Sequence, residues 1–354
     1  MFSVLRSAST RATSFLSKEL KRNPFNIAIL DDYQRVAQSM ADWSRLPENT
    51  SVIAYHEHFY DDRALVRELY DKQAVVVMRE RTRFHAGIFE ALPNLKLLVT
   101  SGPKNEAIDI KAAEKHGVVV SGTRSLKEPP AELTIGLMLA LARNIPQESA
   151  ALRNGGLWQS TVGISLNGKT LGVVGLGHIG AMVARVAQTL GMKVIAWSQN
   201  LTAERTTECG VILAASKQDL LKTSDVVSIH VRLSDRTRDL LRAEDLELMK
   251  PMALLINTSR AEIVNQAALV SALNSGRILG AAADVFEEEP LPKDHPLRTA
   301  RNFIGTPHLG YVTEANYRGY FSEAVEDIEA YLAGKPVREL YPSKGELELP
   351  VSKL

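Results

Sequence analysis

From Phe25 onward, short apolar runs rich in valine and isoleucine alternate with stretches of helical periodicity. The apolar runs include NIAIL, TSVIAYH, AVVVM, LKLLVTSG and GVVVSG, and the helix-like stretches between them include DDRALVRELY and IDIKAAEKHG. Strands that alternate with helices form parallel sheets with helices on their faces. The pattern therefore predicts an α/β unit that ends near residue 123.

A strongly apolar segment, PAELTIGLMLALARNI, follows this unit and predicts a long helix near residues 130–145. Pro129 and Pro130 stand at its start, where proline is favoured, and its apolar positions cover most of its surface, so we expect it to be packed. After a loop, RNGGLWQSTVGISLNG, a second strand–helix alternation begins with KTLGVVGLGHIG. It continues through VVSIHV, ALLINTS, GAAADVF and NFIGTP and ends in the helical pattern TEANYRGYFSEAVEDIEAYLAG.

Composition narrows the class of protein. The chain has 354 residues, of which 45% are hydrophobic and 23% charged, and a formal net charge of +1. These values are typical of a globular protein of about two domains, and they give no overall field for nucleic acid or a membrane surface. The single cysteine, Cys209, excludes an intrachain disulfide and a cysteine-rich metal site. We therefore expect no nucleic-acid partner, no membrane span and no metal.

Both ends of the chain resemble targeting segments. The first 24 residues, MFSVLRSASTRATSFLSKELKRNP, hold five basic residues and one acid, which is typical of a mitochondrial transit peptide or of an unstructured basic leader. The last residues, Ser352, Lys353 and Leu354, form the tripeptide that a peroxisomal import receptor reads. The polar segment 341–354 predicts an extended, accessible tail. We expect a peroxisomal protein, with the mitochondrion or cytoplasm as alternatives.

A glycine motif opens the second alternation. Gly175, Gly177 and Gly180 form G-x-G-x-x-G between an apolar strand and an amphipathic helix. The first glycine permits a tight turn, the second lets the main chain approach a pyrophosphate, and the third lets helix and strand pack closely. The amides of His178 and Ile179 would then lie at a helix N-terminus, which favours phosphate. The motif predicts a dinucleotide site.

The residue that reads the cofactor ribose is expected about 20 positions further on. Ser198 stands there, at the end of KVIAWS, and is followed by Gln199 and Asn200. An acid at this position would bind the ribose 2′-hydroxyl and repel a 2′-phosphate, whereas these three residues repel neither form. Arg205 is close enough in sequence to pair with a phosphate. We therefore predict binding of NAD(P), with NADPH accepted and the preference left open.

Three polar residues follow predicted strands of the second alternation. Arg260 follows ALLINTS, Glu289 follows GAAADVF, and His308 follows NFIGTP. Ligands bind at the carboxyl edge of an open parallel sheet. An arginine can bind a carboxylate through two hydrogen bonds, and a histidine can give a proton to a carbonyl oxygen as hydride reaches the carbon. With a carboxylate holding the imidazole in one tautomer, the set suits redox chemistry on a 2-oxo acid.

The segments GVVGLGHIG, INTSR, ADVFEEEP and TPHLG stand in the order and spacing of the D-2-hydroxyacid dehydrogenases, which the chain resembles over roughly residues 50–335. The resemblance implies that Arg260 binds and orients the substrate, that Glu289 assists His308, and that His308 is the acid/base. It also implies cofactor contacts, with Asp284 at the nicotinamide carboxamide and with Thr258 and Ser259 lining the cofactor.

The same resemblance implies an architecture. The family fold has two Rossmann-like domains, each a doubly wound parallel sheet, with the active site in the cleft between them. It implies a discontinuous substrate-binding domain of residues 25–125 and 309–340 and an NAD(P)-binding domain of residues 126–308. The family usually forms homodimers through the long helix near residues 130–145, so we expect a homodimer.

The first alternation departs from the family pattern. Family members carry a glycine-rich loop whose amides hold the substrate carboxylate, but this chain reads TSGPKNEAID, and Pro103 has no amide hydrogen. Two arginines follow the run AVVVM on the same expected edge. They predict a cationic pocket for a larger or doubly anionic acid, unless they form surface ion pairs with Glu80 or Glu106. The predicted substrate-binding residues are Arg79, Arg81, Gly102, Lys104 and Asn105.

The function that these observations favour is NAD(P)-dependent reduction of a small 2-oxo acid, such as glyoxylate or hydroxypyruvate, to the D-2-hydroxy acid. Formate dehydrogenases of the family have glutamine before the active-site histidine, where this chain has Pro307. Two alternatives stay open. One is an enzyme that resembles phosphoglycerate dehydrogenase, and the other is a dinucleotide-sensing, corepressor-like binding module on the same fold.

Overall fold

The computed structural model describes residues 24–340. The predicted leader up to residue 23 and the tail from residue 341, with Ser352, Lys353 and Leu354, lie outside this part of the chain, so the targeting interpretations stay predictions. Within residues 24–340, two compact units are present: the first combines residues 24–126 with residues 314–340, and the second spans Lys127–Thr313. The predicted division placed these boundaries after residues 125 and 308.

The strands and helices of residues 24–340 follow one another in the alternation that the apolar pattern predicts. The strands are β1 (Phe25–Ile29), β2 (Thr50–Ala54), β3 (Ala74–Val77), β4 (Leu97–Thr100), β5 (Val119–Gly122), β6 (Thr170–Val174), β7 (Lys193–Trp197), β8 (Ile212–Leu213), β9 (Val226–Ile229), β10 (Leu254–Asn257), β11 (Gly280–Ala283) and β12 (Phe303–Gly305). The α-helices are α1 (Ala37–Met40), α2 (Asp62–Leu69), α3 (Ala86–Ala91), α4 (Ile110–Lys115), α5 (Glu128–Ala142), α6 (Ile145–Arg153), α7 (His178–Thr189), α8 (Ala203–Glu208), α9 (Lys217–Thr223), α10 (Ala243–Leu246), α11 (Gln266–Asn274) and α12 (Glu314–Leu332). Single 3₁₀ turns occupy Trp43–Arg45, Ala261–Ile263 and Pro296–Arg298.

The first unit is built on a five-stranded sheet of order β2-β1-β3-β4-β5. Its neighbouring strands are parallel throughout. Every residue of β3 and β4 is buried, because strands covered on both faces read as continuous apolar runs. The chain after α12 returns to the sheet, where Leu340 N–H donates to the Val120 carbonyl at 2.7 Å.

The second unit is built on a seven-stranded parallel sheet of order β12-β11-β10-β9-β6-β7-β8. Two apolar clusters cover it; one gathers α9, β9 and α11, and the other packs α5 and α7 against β6. The chain is therefore an α/β protein with two parallel sheets, and the predicted fold class is confirmed.

Two elements of the second unit were not predicted. The predicted long helix ends at Ala142, and Asn144 takes a left-handed conformation with φ +52° before α6 begins. Strand β8 has only two residues, both exposed at the edge of the sheet, so it has no apolar run to reveal it. Both misses arise where short-range geometry, rather than burial, sets the structure.

Within residues 24–340, no helix has the length and apolar character needed to span a membrane. The same residues contain no group of three or more histidine, cysteine, aspartate or glutamate side chains arranged to hold a metal ion.

Candidate active site

The glycine motif lies in the turn between β6 and α7. Gly175 has φ +99°, a backbone conformation that glycine adopts at no steric cost. A Cβ added at Gly180 would lie 2.1 Å from the main-chain oxygen of Gly175, so only glycine lets the helix pack this closely on the turn. A Cβ at Gly177 would meet no heavy atom within 4 Å. The first and third glycines therefore shape the turn, and the second borders open space.

This open space suits a pyrophosphate. Gly177 is the N-cap of α7, and no side chain caps the helix there. His178 and Ile179 are the first residues of α7, where main-chain N–H groups have no partner within the helix and attract anions. The residues present therefore fit the phosphates of a dinucleotide, and these amides would hold them.

The ribose-reading position lies on the neighbouring strand. Ser198 directly follows β7, which pairs with β6, and no carboxylate stands at residues 198–200. Gln199 donates through its amide to the Arg236 carbonyl at 3.3 Å. Arg205 Nε donates to the carbonyl of Leu176, inside the glycine turn, at 3.2 Å, and Arg205 Nη1 contacts Glu208 at 3.0 Å. Arg205 thus reaches back to the phosphate-binding turn.

His308 and Glu289 form a hydrogen-bonded pair beyond the ends of β12 and β11. His308 Nδ1 lies 2.7 Å from Glu289 Oε2, and the other Glu289 oxygen accepts from Phe286 N–H at 2.9 Å. Because a carboxylate accepts, Nδ1 carries the hydrogen in this contact, and Nε2 is the ring nitrogen that can exchange a proton with a substrate. The side chains are 24% and 35% exposed, so the pair is accessible.

Asp284 fixes the loop that carries His308. Its carboxylate accepts from Thr306 Oγ1 at 2.6 Å, from Leu309 N–H at 2.7 Å and from Gly310 N–H at 2.8 Å. These donors lie on both sides of His308, whose φ is +53°. Burial raises the pKa of Asp284, although the three hydrogen bonds and the nearby His308 oppose the rise. The predicted contact of Asp284 with nicotinamide stays a prediction.

Arg260 lies three residues beyond β10, the strand next to β11. Asn257 braces this turn: its amide donates to the Arg260 carbonyl at 2.9 Å and its oxygen accepts from Ser259 N–H at 3.0 Å. Ser259 Oγ donates to the Val231 carbonyl at 2.5 Å, and Thr258 Oγ1 lies 2.7 Å from Thr134 Oγ1. Since β10, β11 and β12 are parallel neighbours, the structure brings all three predicted catalytic residues to one edge of one sheet.

His230 is a residue of this edge that the sequence analysis missed. It directly follows β9, and its Nε2 lies 2.8 Å from Ser228 Oγ. A Cβ at Gly175 would lie 2.8 Å from the main-chain carbon of His230, so His230 borders the phosphate-binding turn. Desolvation lowers the pKa of His230 to about 4, which keeps it neutral at pH 7. Its position after the run VVSI is the same signal that identified Arg260 and His308.

The predicted substrate-binding residues of the first unit lie at the carboxyl ends of β3 and β4. Gly102 N–H donates to Thr123 Oγ1 at 2.8 Å, so this amide is engaged within the unit. The Asn105 amide donates to the Arg79 carbonyl at 2.6 Å and to Thr100 Oγ1 at 2.9 Å, which uses both of its hydrogens. Asn105 therefore shapes the loop.

The other three predicted substrate-binding residues, Lys104, Arg79 and Arg81, carry a charged side chain. Lys104 is exposed on the same loop, whereas Arg79 and Arg81 are half-buried. Arg79 lies 3.5 Å from Glu80, as the ion-pair alternative predicted, and Arg81 donates to the Asp31 carbonyl at 2.6 Å. Asp31 and Tyr33 follow β1 at the same edge of the sheet, and the sequence analysis did not name them.

Comparison with known proteins defines the class. Residues 135–310 match the family model of the D-isomer specific 2-hydroxyacid dehydrogenase, NAD binding domain. The chain is 37% identical to a glyoxylate reductase from Aeropyrum pernix over 262 residues, which is 72% of this chain and 78% of that protein. The chain therefore belongs to the D-isomer specific 2-hydroxyacid dehydrogenase family, as the resemblance predicted.

Two further relatives carry a different name. A D-3-phosphoglycerate dehydrogenase from Methanocaldococcus jannaschii is 40% identical over 264 residues, which cover 74% of this chain and 50% of that protein. The chain thus spans half the length of this relative. A crystal structure of phosphoglycerate oxidoreductase from Vibrio cholerae o395 superposes with a TM-score of 0.82 at 36% identity, covering 87% of this chain and 98% of that one.

Proposed function

We propose that the chain catalyses NAD(P)-dependent reduction of a small 2-oxo acid, of the glyoxylate or hydroxypyruvate type, to the D-2-hydroxy acid. The observation that carries the proposal is the His308–Glu289 pair at 2.7 Å, located on the same sheet edge as Arg260 and the glycine turn. Relatives named glyoxylate reductase support the substrate type.

Each residue of the edge has a defined task in this reaction. Arg260 binds the substrate carboxylate and orients the ketone. Bound nicotinamide supplies the hydride. His308, held by Glu289 through Nδ1, donates the proton at Nε2 to the carbonyl oxygen, and the negative carboxylate of Glu289 stabilises the imidazolium before this transfer. Asp284 keeps the histidine loop in place throughout.

The test is steady-state reduction of glyoxylate and hydroxypyruvate, each with NADH and with NADPH. We expect turnover that depends on His308. If neither substrate reacts with either cofactor while the chain still binds NADH or NADPH, the proposed substrate type is wrong. The phosphoglycerate-dehydrogenase-like alternative is then the next to assay, because relatives of that name match 74% of the chain. The corepressor-like alternative predicts partner proteins that remain bound after His308→Ala.

For the cofactor, we propose that the site accepts NADPH as well as NADH. Residues 198–200 bring no carboxylate to repel a 2′-phosphate, and Arg205 contacts the glycine turn at 3.2 Å. An introduced acid should restore the missing repulsion. We expect Ser198→Asp to raise the ratio of kcat/KM with NADH to kcat/KM with NADPH, and Arg205→Gln to move this ratio in the same direction. Unchanged ratios in both variants would contradict the proposal.

For assembly, we propose a homodimer formed through the second unit. Large apolar side chains near α6 are highly exposed: Leu152 66%, Leu157 79%, Trp158 79% and Val162 96%. An apolar surface of this kind marks an interaction site. Light scattering should give twice the chain mass for the wild type and the monomer mass for Trp158→Glu.

For localisation, we propose the peroxisome, because Ser352-Lys353-Leu354 matches the receptor-read address. A fluorescent protein fused ahead of the full chain should enter peroxisomes, and removal of the three residues should leave it elsewhere. Mitochondrial fluorescence from a fusion placed after the chain would favour the basic leader instead.

A further inference from the structure

The sequence contains two Asn-Gly pairs, Asn154 followed by Gly155 and Asn167 followed by Gly168. Asparagine is among the thermolabile residues of proteins. It loses its side-chain amide in water most readily before glycine, because glycine has no Cβ to keep its main-chain nitrogen away from the asparagine side chain. Both pairs are exposed, so the local structure decides which of them reacts.

The reaction begins when the main-chain nitrogen of the glycine attacks Cγ of the asparagine. The new N–Cγ bond closes a succinimide ring, the Cγ–Nδ2 bond breaks, and the proton of the attacking nitrogen leaves with the amide as ammonia. Water then opens the ring at the side-chain carbonyl to give aspartate, or at the main-chain carbonyl to give isoaspartate, whose main chain is longer by one carbon. The attack therefore requires a glycine N–H without a strong hydrogen bond and a main chain that can move.

Asn154 lies at the end of α6, in a weakly held part of the chain. It is the C-cap of the helix, and none of the helical residues, Ile145–Arg153, is buried. Gly155 N–H donates to the Leu152 carbonyl over 3.4 Å, and a Cβ at Gly155 would meet no heavy atom within 4 Å. Helix ends fray, and a segment with few buried apolar contacts opens at a low cost in free energy. The nitrogen of Gly155 is therefore readily released for attack.

Asn167 lies in a turn that is held more firmly. Gly168 N–H donates to the Gly191 carbonyl at 2.9 Å, and Lys169 N–H closes the turn on the Leu166 carbonyl at 3.0 Å. Leu166 is buried, and the Asn167 side chain lies so close to Gly191 that a Cβ there would be 2.6 Å from Nδ2. The nitrogen that would attack is thus engaged in a hydrogen bond, and the turn is anchored to the core.

Helix α6 also anchors the loop that follows it at both of the loop's ends. At the near end, Gly156 N–H donates to the Ala151 carbonyl at 2.8 Å. At the far end, Glu148 accepts from Ser160 N–H at 3.1 Å and from Thr161 Oγ1 at 2.5 Å. The exposed leucine and tryptophan side chains of the loop lie between these anchors. A change in the main chain at residue 154 therefore acts directly on the near anchor.

We propose that Asn154 is a site of spontaneous deamidation, with water as the co-reactant and with isoaspartate and aspartate as the products. Either product places a negative charge at the C-terminus of α6, where the helix dipole disfavours it. Isoaspartate also lengthens the main chain between α6 and Gly156, which loosens the anchor at Ala151. The modification site does not depend on the proposed function, whereas an effect of the modification on assembly rests on the proposed homodimer.

The first experiment follows both pairs in the same sample of the full chain, kept in mildly alkaline buffer. Peptide mass mapping at intervals detects the mass increase caused by replacing an amide with a carboxyl group, and fragmentation distinguishes isoaspartate from aspartate. A net hydrogen bond slows a reaction that must first break it by about twofold to tenfold. We therefore expect Asn154 to react at least about threefold faster than Asn167, and a smaller ratio of the two rates would overturn the proposal.

Urea provides the control for sequence context. In the unfolded chain neither glycine N–H is held by its native carbonyl, so the ratio of the two rates should fall towards one. A ratio that stays unchanged in urea would assign the difference to the flanking residues and contradict the structural argument. Asn154→Gln is the matched variant, because glutamine would have to close a larger ring. This variant should lose the mass change at position 154, while Asn167 keeps its rate.

The second experiment separates the modification site from the proposed homodimer by light scattering of aged wild type and aged Asn154→Gln. If both proposals hold, the dimer fraction of the wild type falls as isoaspartate accumulates, and the variant keeps its mass. A chain that is monomeric from the start but deamidates at Asn154 refutes the homodimer and leaves the site standing. A stable dimer in which Asn154 and Asn167 react equally fast refutes the site and leaves the homodimer standing. A dimer fraction that stays constant despite deamidation refutes only the effect on assembly.

Discussion

The carboxyl edges of the two sheets are organised differently. In the second unit, each polar residue follows its own strand, and a neighbouring side chain holds the main chain around it, as Asn257 holds Arg260 and Asp284 holds the His308 loop. In the first unit, polar side chains that follow different strands contact one another, since the Asp31 carboxylate accepts from Thr82 Oγ1 and Tyr33 Oη and lies 3.0 Å from His58 Nδ1. The groups of the second-unit edge are thus held one strand end at a time, whereas those of the first-unit edge are held by one another.

Of the variants at the second-unit edge, His308→Gln should cause the largest loss of activity. Glutamine keeps a polar group near Glu289 but has no titratable proton, so general acid catalysis is lost. We expect kcat/KM for glyoxylate reduction to fall about 10²–10⁴-fold, the range for a positioned acid/base, while cofactor affinity measured by fluorescence titration stays within a factor of about three. A fall of less than tenfold would mean that another group supplies the proton.

Glu289→Gln should lower activity at the same edge, but by less than His308→Gln does. The amide can still contact His308 Nδ1 at the 2.7 Å site, but it carries no charge to stabilise the imidazolium. We expect kcat to fall about 10²-fold, at the lower end of the range for acid/base groups. Glu288→Gln is the matched control, since Glu288 is an exposed neighbour. Equal losses in the two variants would assign the role to charge rather than to the hydrogen bond.

The sequence predicted the second-unit edge well, for a physical reason. Buried parallel strands are continuous apolar runs, and a residue that follows such a run must lie at the carboxyl edge. One strand end therefore supplies Arg260 and another His308, without knowledge of any tertiary contact. The same reasoning placed Arg79 and Arg81 at the first-unit edge, but it could not predict their partners, because Arg81 donates to Tyr317, 236 residues away. Its contacts are set by how α12 returns to the sheet.

Substitutions at two glycines of the dinucleotide turn should affect folding and cofactor binding separately. Gly180→Ala places a Cβ 2.1 Å from the Gly175 oxygen, so the turn must shift, and we expect a loss of about 1–3 kcal/mol in the free energy of unfolding. Gly177→Ala meets open space and should leave folding unchanged, but its methyl group occupies the space that suits a pyrophosphate. Urea unfolding and cofactor titration of both variants check this. A stability loss in Gly177→Ala would show that the space is filled by the protein itself.

Titratable groups of the two units should also change stability with pH in opposite directions. The first of these groups is Asp327 of the first unit. Its side chain is fully buried, and Arg338 Nε donates to it at 2.9 Å. Burial raises its pKa from 3.8 to about 7, against the opposing effect of Arg338. Between these two pH values, the folded protein therefore holds a proton that the unfolded chain has lost. The contribution of Asp327 to the free energy of unfolding is complete below pH 3.8 and is lost as the pH rises through about 7.

Asp327→Asn removes this titration. The free energy of unfolding of the wild type, minus that of the variant, should decrease as the pH rises from about 4 to about 7. The slope cannot exceed about 1.4 kcal/mol per pH unit, the limit for one proton. Urea titrations at four pH values in this window measure it. An increase with pH would mean that the ion pair with Arg338 outweighs burial.

His230 of the second unit should give the opposite slope and the smallest of these effects. Desolvation lowers its pKa from 6.5 to about 4, so the unfolded chain takes up a proton that the folded protein excludes. The contribution of His230 to the free energy of unfolding is complete above pH 6.5 and is lost as the pH falls towards about 4. Relative to His230→Gln, the wild type should therefore lose stability on acidification, with the same limiting slope over a narrower window.

Because His230 borders Gly175, bound NADH or NADPH should reduce this loss in the wild type, whereas it should leave the Asp327 slope unchanged. If cofactor alters both slopes equally, the pH response is not specific to the surroundings of His230.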